Sequence, residues 1–192
     1  NRESAPQARA LLTHEYVRVM AGLMIVGALP MALFPELAVT LLFSREFLSA
    51  APYLFLFVLA DCLFLSSWVY LATLRAQDDL RWSFGVSFGG SVLLALAAWA
   101  LVPRWGLAGA GVAFVFARAV TLLVAAMRMS VHSRATIPVG LILPLVYLAG
   151  ALCAAGVVVH QTTSGTAQGV AARVACLVVL LAAAAPFLRG EE

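Results

Sequence analysis

Six long apolar runs, separated by short polar segments, dominate the pattern of the chain. They cover residues 16–43, 52–74, 82–102, 107–127, 137–159 and 170–188. Each run is close to, or longer than, the roughly 20 residues that a helix needs to cross a bilayer. None shows the alternation with a period of two that a membrane-spanning strand requires. The pattern therefore predicts an all-α, polytopic transmembrane bundle of about six spans at 16–188, between a polar segment at 1–15 and a tail at 189–192.

Prolines and glycines indicate where these helices break. In the first run, Phe34, Pro35 and Glu36 predict the end of a helix that starts near residue 15, followed by a short helical piece over 37–43. We interpret Glu36 as a favourable acid at the start of that piece. Between the third and fourth runs, residues 103–106 (Pro-Arg-Trp-Gly) predict a tight turn.

Composition excludes an ordinary soluble domain. Hydrophobic residues make up 64% of the 192 residues and charged residues 11%, whereas soluble domains average roughly 45–50% and about 25%. The net charge of +3 is too small and too scattered to indicate a nucleic-acid partner. Membrane lipid is the expected surrounding. The three cysteines, Cys62, Cys153 and Cys176, each lie in an apolar run, which favours buried free thiols.

The arginines predict an orientation. If the runs cross the membrane in turn, one side carries Arg2, Arg9, Arg18, Arg75, Arg81, Arg128, Arg134 and Arg189, and the other carries Arg45, Arg104 and Arg173. The richer side is expected to be cytoplasmic, so both termini face the cytoplasm, as six spans require. The expected interface anchors are Tyr16, Trp82, Trp99 and Trp105.

Two charges fall within predicted spans. Asp61 lies in the second run and Arg118 in the fourth, where a charge costs about 2.5–3.5 kcal/mol on insertion scales. Such residues usually face a bundle interior or a wet cavity, so both are candidates for a transport path. The alternatives are a mutually neutralised buried pair, or separate contacts with packing groups or water. Arg18, one turn inside the first span, is a third candidate or else reaches the interface with its long side chain.

No catalytic residue, metal site or cofactor site is predicted. The three histidines, His14, His132 and His160, are far apart and unclustered, which argues against an enzyme. Asp78 and Asp79 are interpreted as a solvated turn. The small residues of 85–90 and 106–113 favour close helix packing.

Three segments together resemble a known family. They are residues 34–53 (FPELAVTLLFSREFLSAAPY), 72–77 (ATLRAQ) and 102–113 (VPRWGLAGAGVA). In order and spacing they are similar to the polysaccharide flippases of O-antigen and capsule synthesis, although Ser44 stands where that family often has glycine. Their superfamily also holds the peptidoglycan-precursor flippases and the multidrug and toxin exporters.

The resemblance implies a function. The chain would be the C-terminal lobe of a two-lobed flippase in the bacterial inner membrane, partnered by an N-terminal bundle or by a second copy. Its substrate would be a lipid-linked oligosaccharide, flipped by alternating access. Arg118 and Arg18 would attract the pyrophosphate, and Asp61 would respond to a coupling ion.

Three other functions compete with this prediction. One is a drug or small-molecule exporter of the same superfamily, and the second is a non-transporting membrane subunit. The third is a membrane-embedded enzyme, which the unclustered histidines disfavour.

Overall fold

The chain folds entirely as helices in the computed structural model, which describes residues 4–76, 79–133, 139–162 and 166–188. In chain order they are α1 (Ser4–Leu33), α2 (Pro35–Leu42), a 3-10 segment (Arg45–Tyr53), α3 (Leu54–Ala76), α4 (Leu80–Ser133), α5 (Val139–Gln161) and α6 (Ala167–Leu188). The all-α class is confirmed. Helix α1 begins at Ser4, earlier than the start predicted near residue 15.

Several helices are long and apolar enough to cross a membrane. By length and composition these are Arg45–Ala76, Leu80–Val131 and Ala167–Ala184, and a fourth if the bent pair Gly22–Leu33 and Pro35–Leu42 counts as one span. Val146–Gln161 is apolar but shorter. The described part of the chain is therefore compatible with a membrane protein.

The predicted break near Pro35 is confirmed. Helix α1 ends at Leu33, and α2 leaves it at an angle of 97°. Phe34 has φ −120° and ψ 57°, because the ring of a following proline disfavours the helical conformation. Pro35 itself occupies the first turn of α2, where its missing N–H has no helical partner to lose.

Helix α4 is a helical hairpin that reverses at one residue. Gly106 has φ 56° and ψ −131°, inside 54 residues that are otherwise helical. A side chain is strained at positive φ, which makes glycine the residue suited to this corner. A Cβ added at Gly109 would lie 2.7 Å from the carbonyl carbon of Leu101, so the backbones of the first arm (80–105) and the second arm (107–133) nearly touch.

Side-chain contacts give the directions of the helices. Pairs of residues advance together along α3 and the second arm of α4, first Phe57 with Phe114 and then Phe64 with Arg118. These two elements therefore run parallel. In α5 and α6 the order is opposite, because the Tyr147 hydroxyl donates to the Leu180 carbonyl while Thr162 accepts from Arg173.

Two apolar clusters form the core, and α3 joins them. One lies among α1, α3, α5 and α6, where Leu29, Leu59 and Leu152 are buried. The other lies between α3 and α4, where Tyr70 and Met129 are buried. Helix α3 packs most extensively on α4, so the hairpin is anchored to the bundle through α3.

Hydroxyl side chains are satisfied inside the helices themselves. They donate to carbonyl oxygens three or four residues earlier, as Ser66 does to Cys62 at 2.9 Å and Thr121 to Ala117 at 2.8 Å. The same contact is made by Ser67, Thr73, Ser87, Ser91 and Ser130. This arrangement suits an apolar surrounding, where an unpaired polar group costs several kcal/mol.

Large apolar side chains cover much of the exterior. Trp99 is 79% exposed and Phe88 74%, and such surfaces on soluble monomers are rare.

The cysteine prediction is confirmed for Cys62, which is buried, but it is wrong for Cys153, which is exposed. The error arises because an apolar run contains a lipid-compatible outer face as well as a core face.

The hairpin corner provides a stability test. We expect Gly106→Ala to lower the free energy of unfolding in detergent by about 1–3 kcal/mol, the usual cost of a side chain at positive φ. Gly27→Ala is the control, since an added Cβ there meets nothing within 4 Å. Denaturant titration followed by circular dichroism measures both variants. Equal stability of Gly106→Ala and wild type would contradict the single-residue reversal.

Candidate functional site

Asp61 lies on an open face of α3. Its neighbours Ala60 and Cys62 are buried, whereas Asp61 itself is exposed, as are Leu65 and Trp68 one and two turns later. Residues at this spacing share one side of a helix. The face lies between the side of α3 that packs on α1 and the side that packs on α4, so it places a carboxylate on an otherwise apolar surface.

Arg118 stacks on an aromatic ring instead of pairing with Asp61. Its guanidinium carbon lies 4.2 Å from the centroid of the Phe64 ring, a cation–π contact worth about 0.5–2 kcal/mol. Phe64 is one helical turn from Asp61, so the two charges lie at similar depth. Among the described residues, no ion pair joins Asp61 to Arg118. Their alternative interpretation as a mutually neutralised pair is not the arrangement found.

An apolar groove runs beside this face. It separates α1 from α3, has a volume of about 540 Å³, and is lined by Tyr16, Met20, Leu65 and Trp68 among others. This volume falls within the roughly 300–1,000 Å³ of small-molecule sites. The third sequence candidate, Arg18, belongs to α1, but its side chain lies outside the described residues.

At the end of the bundle where α1 meets α2, a buried arginine joins three helices. Arg173 of α6 is 3% exposed. Its Nη1 lies 2.8 Å from Oε2 of Glu36 in α2, and its Nε donates to Oγ1 of Thr162, just after α5, at 3.0 Å. Glu36 thus has a larger role than the predicted one at the start of α2. We name Arg173, Glu36 and Thr162 the Arg173 clamp.

Polar contacts also tie the opposite end of the bundle. Arg128 Nη2 lies 2.9 Å from Asp79 Oδ2, and the same guanidinium stacks on Trp82 at 4.9 Å. Arg75 donates to the Ser83 hydroxyl at 2.8 Å. The prediction of a solvated turn is wrong for Asp79, whose side chain is mostly buried in an ion pair, while Asp78 lies outside the described residues.

The described residues contain no group of three or more His, Cys, Asp or Glu side chains that could hold a metal ion. The side chains near Asp61 are a single carboxylate and a single guanidinium, that of Arg118, beside apolar surface.

Comparisons with known proteins give no match: no protein-family model, no curated protein and no solved structure resembles the chain closely enough to count as one. The resemblance to polysaccharide flippases therefore stays a prediction from the sequence.

The Arg173 clamp predicts a measurable stabilisation. Glu36→Ala leaves a buried guanidinium without its carboxylate, and we expect a loss of roughly 1–3 kcal/mol, reduced from the usual 3–5 because Glu36 is partly exposed. The double variant Glu36→Ala/Arg173→Leu should recover part of the loss. Asp79→Ala, which leaves the more exposed Arg128 unpaired, should cost less than about 1 kcal/mol. Equal losses for Glu36→Ala and Asp79→Ala would show that burial does not set the strength of the clamp.

Proposed function

We propose that this chain is one lobe of a membrane transporter that flips lipid-linked oligosaccharides by alternating access. The observation that carries the proposal is Asp61, a carboxylate held on the open face of α3 beside an apolar groove. An ionisable side chain in a membrane helix is costly and usually marks a substrate or ion path. A lobe with an open charged face also needs a covering partner, either an N-terminal bundle or a second copy.

The directions of the helices support six crossings. The hairpin reversal at Gly106 divides α4 into two arms, each longer than the roughly 20 residues of a span. The second arm runs parallel to α3, and α5 runs antiparallel to α6. With α1 as the first span, the chain then crosses six times in alternating directions.

The two ends of the bundle support the orientation. Arg75 contacts Ser83, and Arg128 contacts the adjacent residue Trp82, so both arginines lie at one end of the bundle. Both belong to the arginine-rich set that the sequence assigns to the cytoplasm. The Arg173 clamp lies at the other end. In this orientation both termini are cytoplasmic, and α2, bent 97° from α1, lies along the outer interface.

The mechanism assigns a role to each candidate. The pyrophosphate of the substrate is an anion, and a guanidinium such as that of Arg118 binds phosphate oxygens through paired hydrogen bonds. Arg118 leaves its cation–π contact with Phe64 when it takes the ligand. Asp61 binds a coupling ion or proton, and Arg18 attracts the anion at the cytoplasmic opening. The lipid tail follows the groove between α1 and α3 while the two lobes rock.

A drug exporter of the same superfamily is the second candidate. It is favoured by the same carboxylate, because Asp61 beside Trp68 and Leu65 suits an apolar cation. A non-transporting membrane subunit is the third, and the cost of placing Asp61 in a span argues against it.

Cysteine labelling tests the six crossings. In a background with all three native cysteines replaced, Arg104→Cys and Gln161→Cys should react with a membrane-impermeant maleimide added to intact cells. Arg81→Cys should react only after permeabilisation, because it lies at the opposite end of the bundle. Reaction of Arg104→Cys and Arg81→Cys from the same side would disprove the alternating topology.

Charge removal tests transport. In cells that depend on the protein, Asp61→Asn and Arg118→Gln should each lower export of surface glycan at least tenfold at equal protein level, because each removes a charge that contacts the ligand or coupling ion. The matched control is Asp79→Asn, which removes a carboxylate outside the path.

Each result that contradicts the flippase proposal favours one of the two alternative functions. If both variants export glycan normally but lose resistance to apolar cations, the drug-exporter function replaces the flippase. Wild-type behaviour in both assays indicates a non-transporting subunit.

A further inference from the structure

A second groove lies between the two arms of α4, away from Asp61. It has a volume of about 580 Å³ and is lined by Trp82, Gly85 and Gly89 on the first arm and by Val120 and Val124 on the second, with Arg81 at one end. The transport proposal makes no use of this groove.

The groove exists because two residues that line it on the first arm, Gly85 and Gly89, are glycines and have no side chain to fill it. A Cβ added at Gly85 or at Gly89 would meet nothing within 4 Å, so both positions face open space. At Gly90, by contrast, an added Cβ would collide with the Thr121 hydroxyl, which shows that the arms touch along the floor of the groove. Helix packing therefore explains Gly90 but leaves Gly85 and Gly89 without a structural role.

An exposed arginine, Arg81, stands at one end of the groove. Arg75 is engaged by Ser83 and the ring of Phe84, and Arg128 by Asp79 and Trp82. Arg81 is exposed, and within the described part of the chain no carboxylate lies within ion-pair distance of it. Its neighbour Trp82 is half exposed, and tryptophan favours the headgroup level of a membrane.

The dimensions fit one leaflet. At 1.5 Å per residue, the groove from Arg81 to Leu93 is about 18 Å long, close to half of the roughly 30 Å hydrocarbon core. A docked helix about 10 Å wide would occupy roughly 1,400 Å³ over that length, far more than the groove holds. An extended acyl chain is narrow enough to fit.

We propose that the groove binds an anionic phospholipid of the cytoplasmic leaflet. An acyl chain lies along Gly85 and Gly89, and the phosphate of the headgroup binds the Arg81 guanidinium, as anionic lipids do at basic pockets between membrane helices. The proposal rests on membrane embedding with Arg81 at the cytoplasmic interface, and it does not require that the protein transports anything.

Native mass spectrometry of the full-length protein tests the site. The protein is released from nanodiscs of mixed phosphatidylcholine and phosphatidylglycerol, and the retained lipids are counted. We expect Arg81→Gln to lower the preference for phosphatidylglycerol about tenfold, because it removes a charge-assisted contact. Gly89→Leu should abolish retention at this site by filling the groove, and Gly85→Leu is the second filling variant should the first not fold.

Two matched controls separate the site from general effects. Arg104→Gln removes an exposed arginine at the other end of the bundle, and Gly150→Leu adds the same side chain where a Cβ meets nothing within 4 Å. Both should retain phosphatidylglycerol as wild type does. The proposal is overturned if Arg81→Gln and the filling variants also retain phosphatidylglycerol as wild type does. It is likewise overturned if a long-chain polyprenyl phosphate at equal concentration displaces phosphatidylglycerol from the wild-type protein. Because the readout is bound lipid, failure of the transport proposal would not affect it.

Discussion

The need of an apolar chain to satisfy its own polar groups shapes this molecule. In a bilayer, backbone N–H and C=O groups must bond within the protein, and helices of the kind found here satisfy these groups within each segment. The hydroxyls of Ser66 and Thr121 follow the same rule by donating to carbonyls of the preceding turn. The helices are interrupted at residues that leave no backbone donor unpaired or that adopt the required backbone angle without strain. These are Pro35, which has no N–H, and Gly106, which tolerates positive φ. The bent pair α1–α2 and the α4 hairpin are both consequences.

Charge is distributed by the same constraint. At the two ends, Arg173 and Arg128 are each held by a carboxylate. The first pair joins α6 to α2, and the second joins the end of the α4 hairpin to its start. Between the ends, Asp61 has no ion pair among the described residues, and Arg118 is held by an aromatic ring. A cation–π contact is weaker than a buried ion pair and easier to exchange for a ligand. The mid-bundle charges are therefore available for binding in a way that the end charges are not.

The sequence predicted what depends on local pattern. Continuous apolar runs indicated the helices, and Pro35 and Gly106 indicated both sharp bends, because a proline disfavours the helical conformation of the residue before it and glycine adopts positive φ without strain. It did not predict the pairing of Arg173 with Glu36, which are 137 residues apart, since partner choice depends on how helices pack. The sequence also did not predict the ion pair of Arg128 with Asp79. Nor did it predict the contact of Arg118 with Phe64, because an uncharged ring is not an obvious partner for a cation. Nor did the small residues reveal that Gly90 packs while Gly85 and Gly89 line a groove.

The two grooves differ in the sign of the charge beside them, and that difference argues for two occupants. Between α1 and α3, the apolar wall adjoins the face of Asp61, which suits a ligand whose passage is coupled to a cation or proton. Between the arms of α4, the wall ends at Arg81, which suits a fixed anion at the membrane surface. The second arm separates them, since Arg118 faces α3 while Val120 and Val124 line the other groove. A lipid in the α4 groove would thus press on the back of the helix that carries Arg118. Its headgroup would be held by Arg81 on the first arm, so the anion and Asp61 would stay on opposite sides of the second arm.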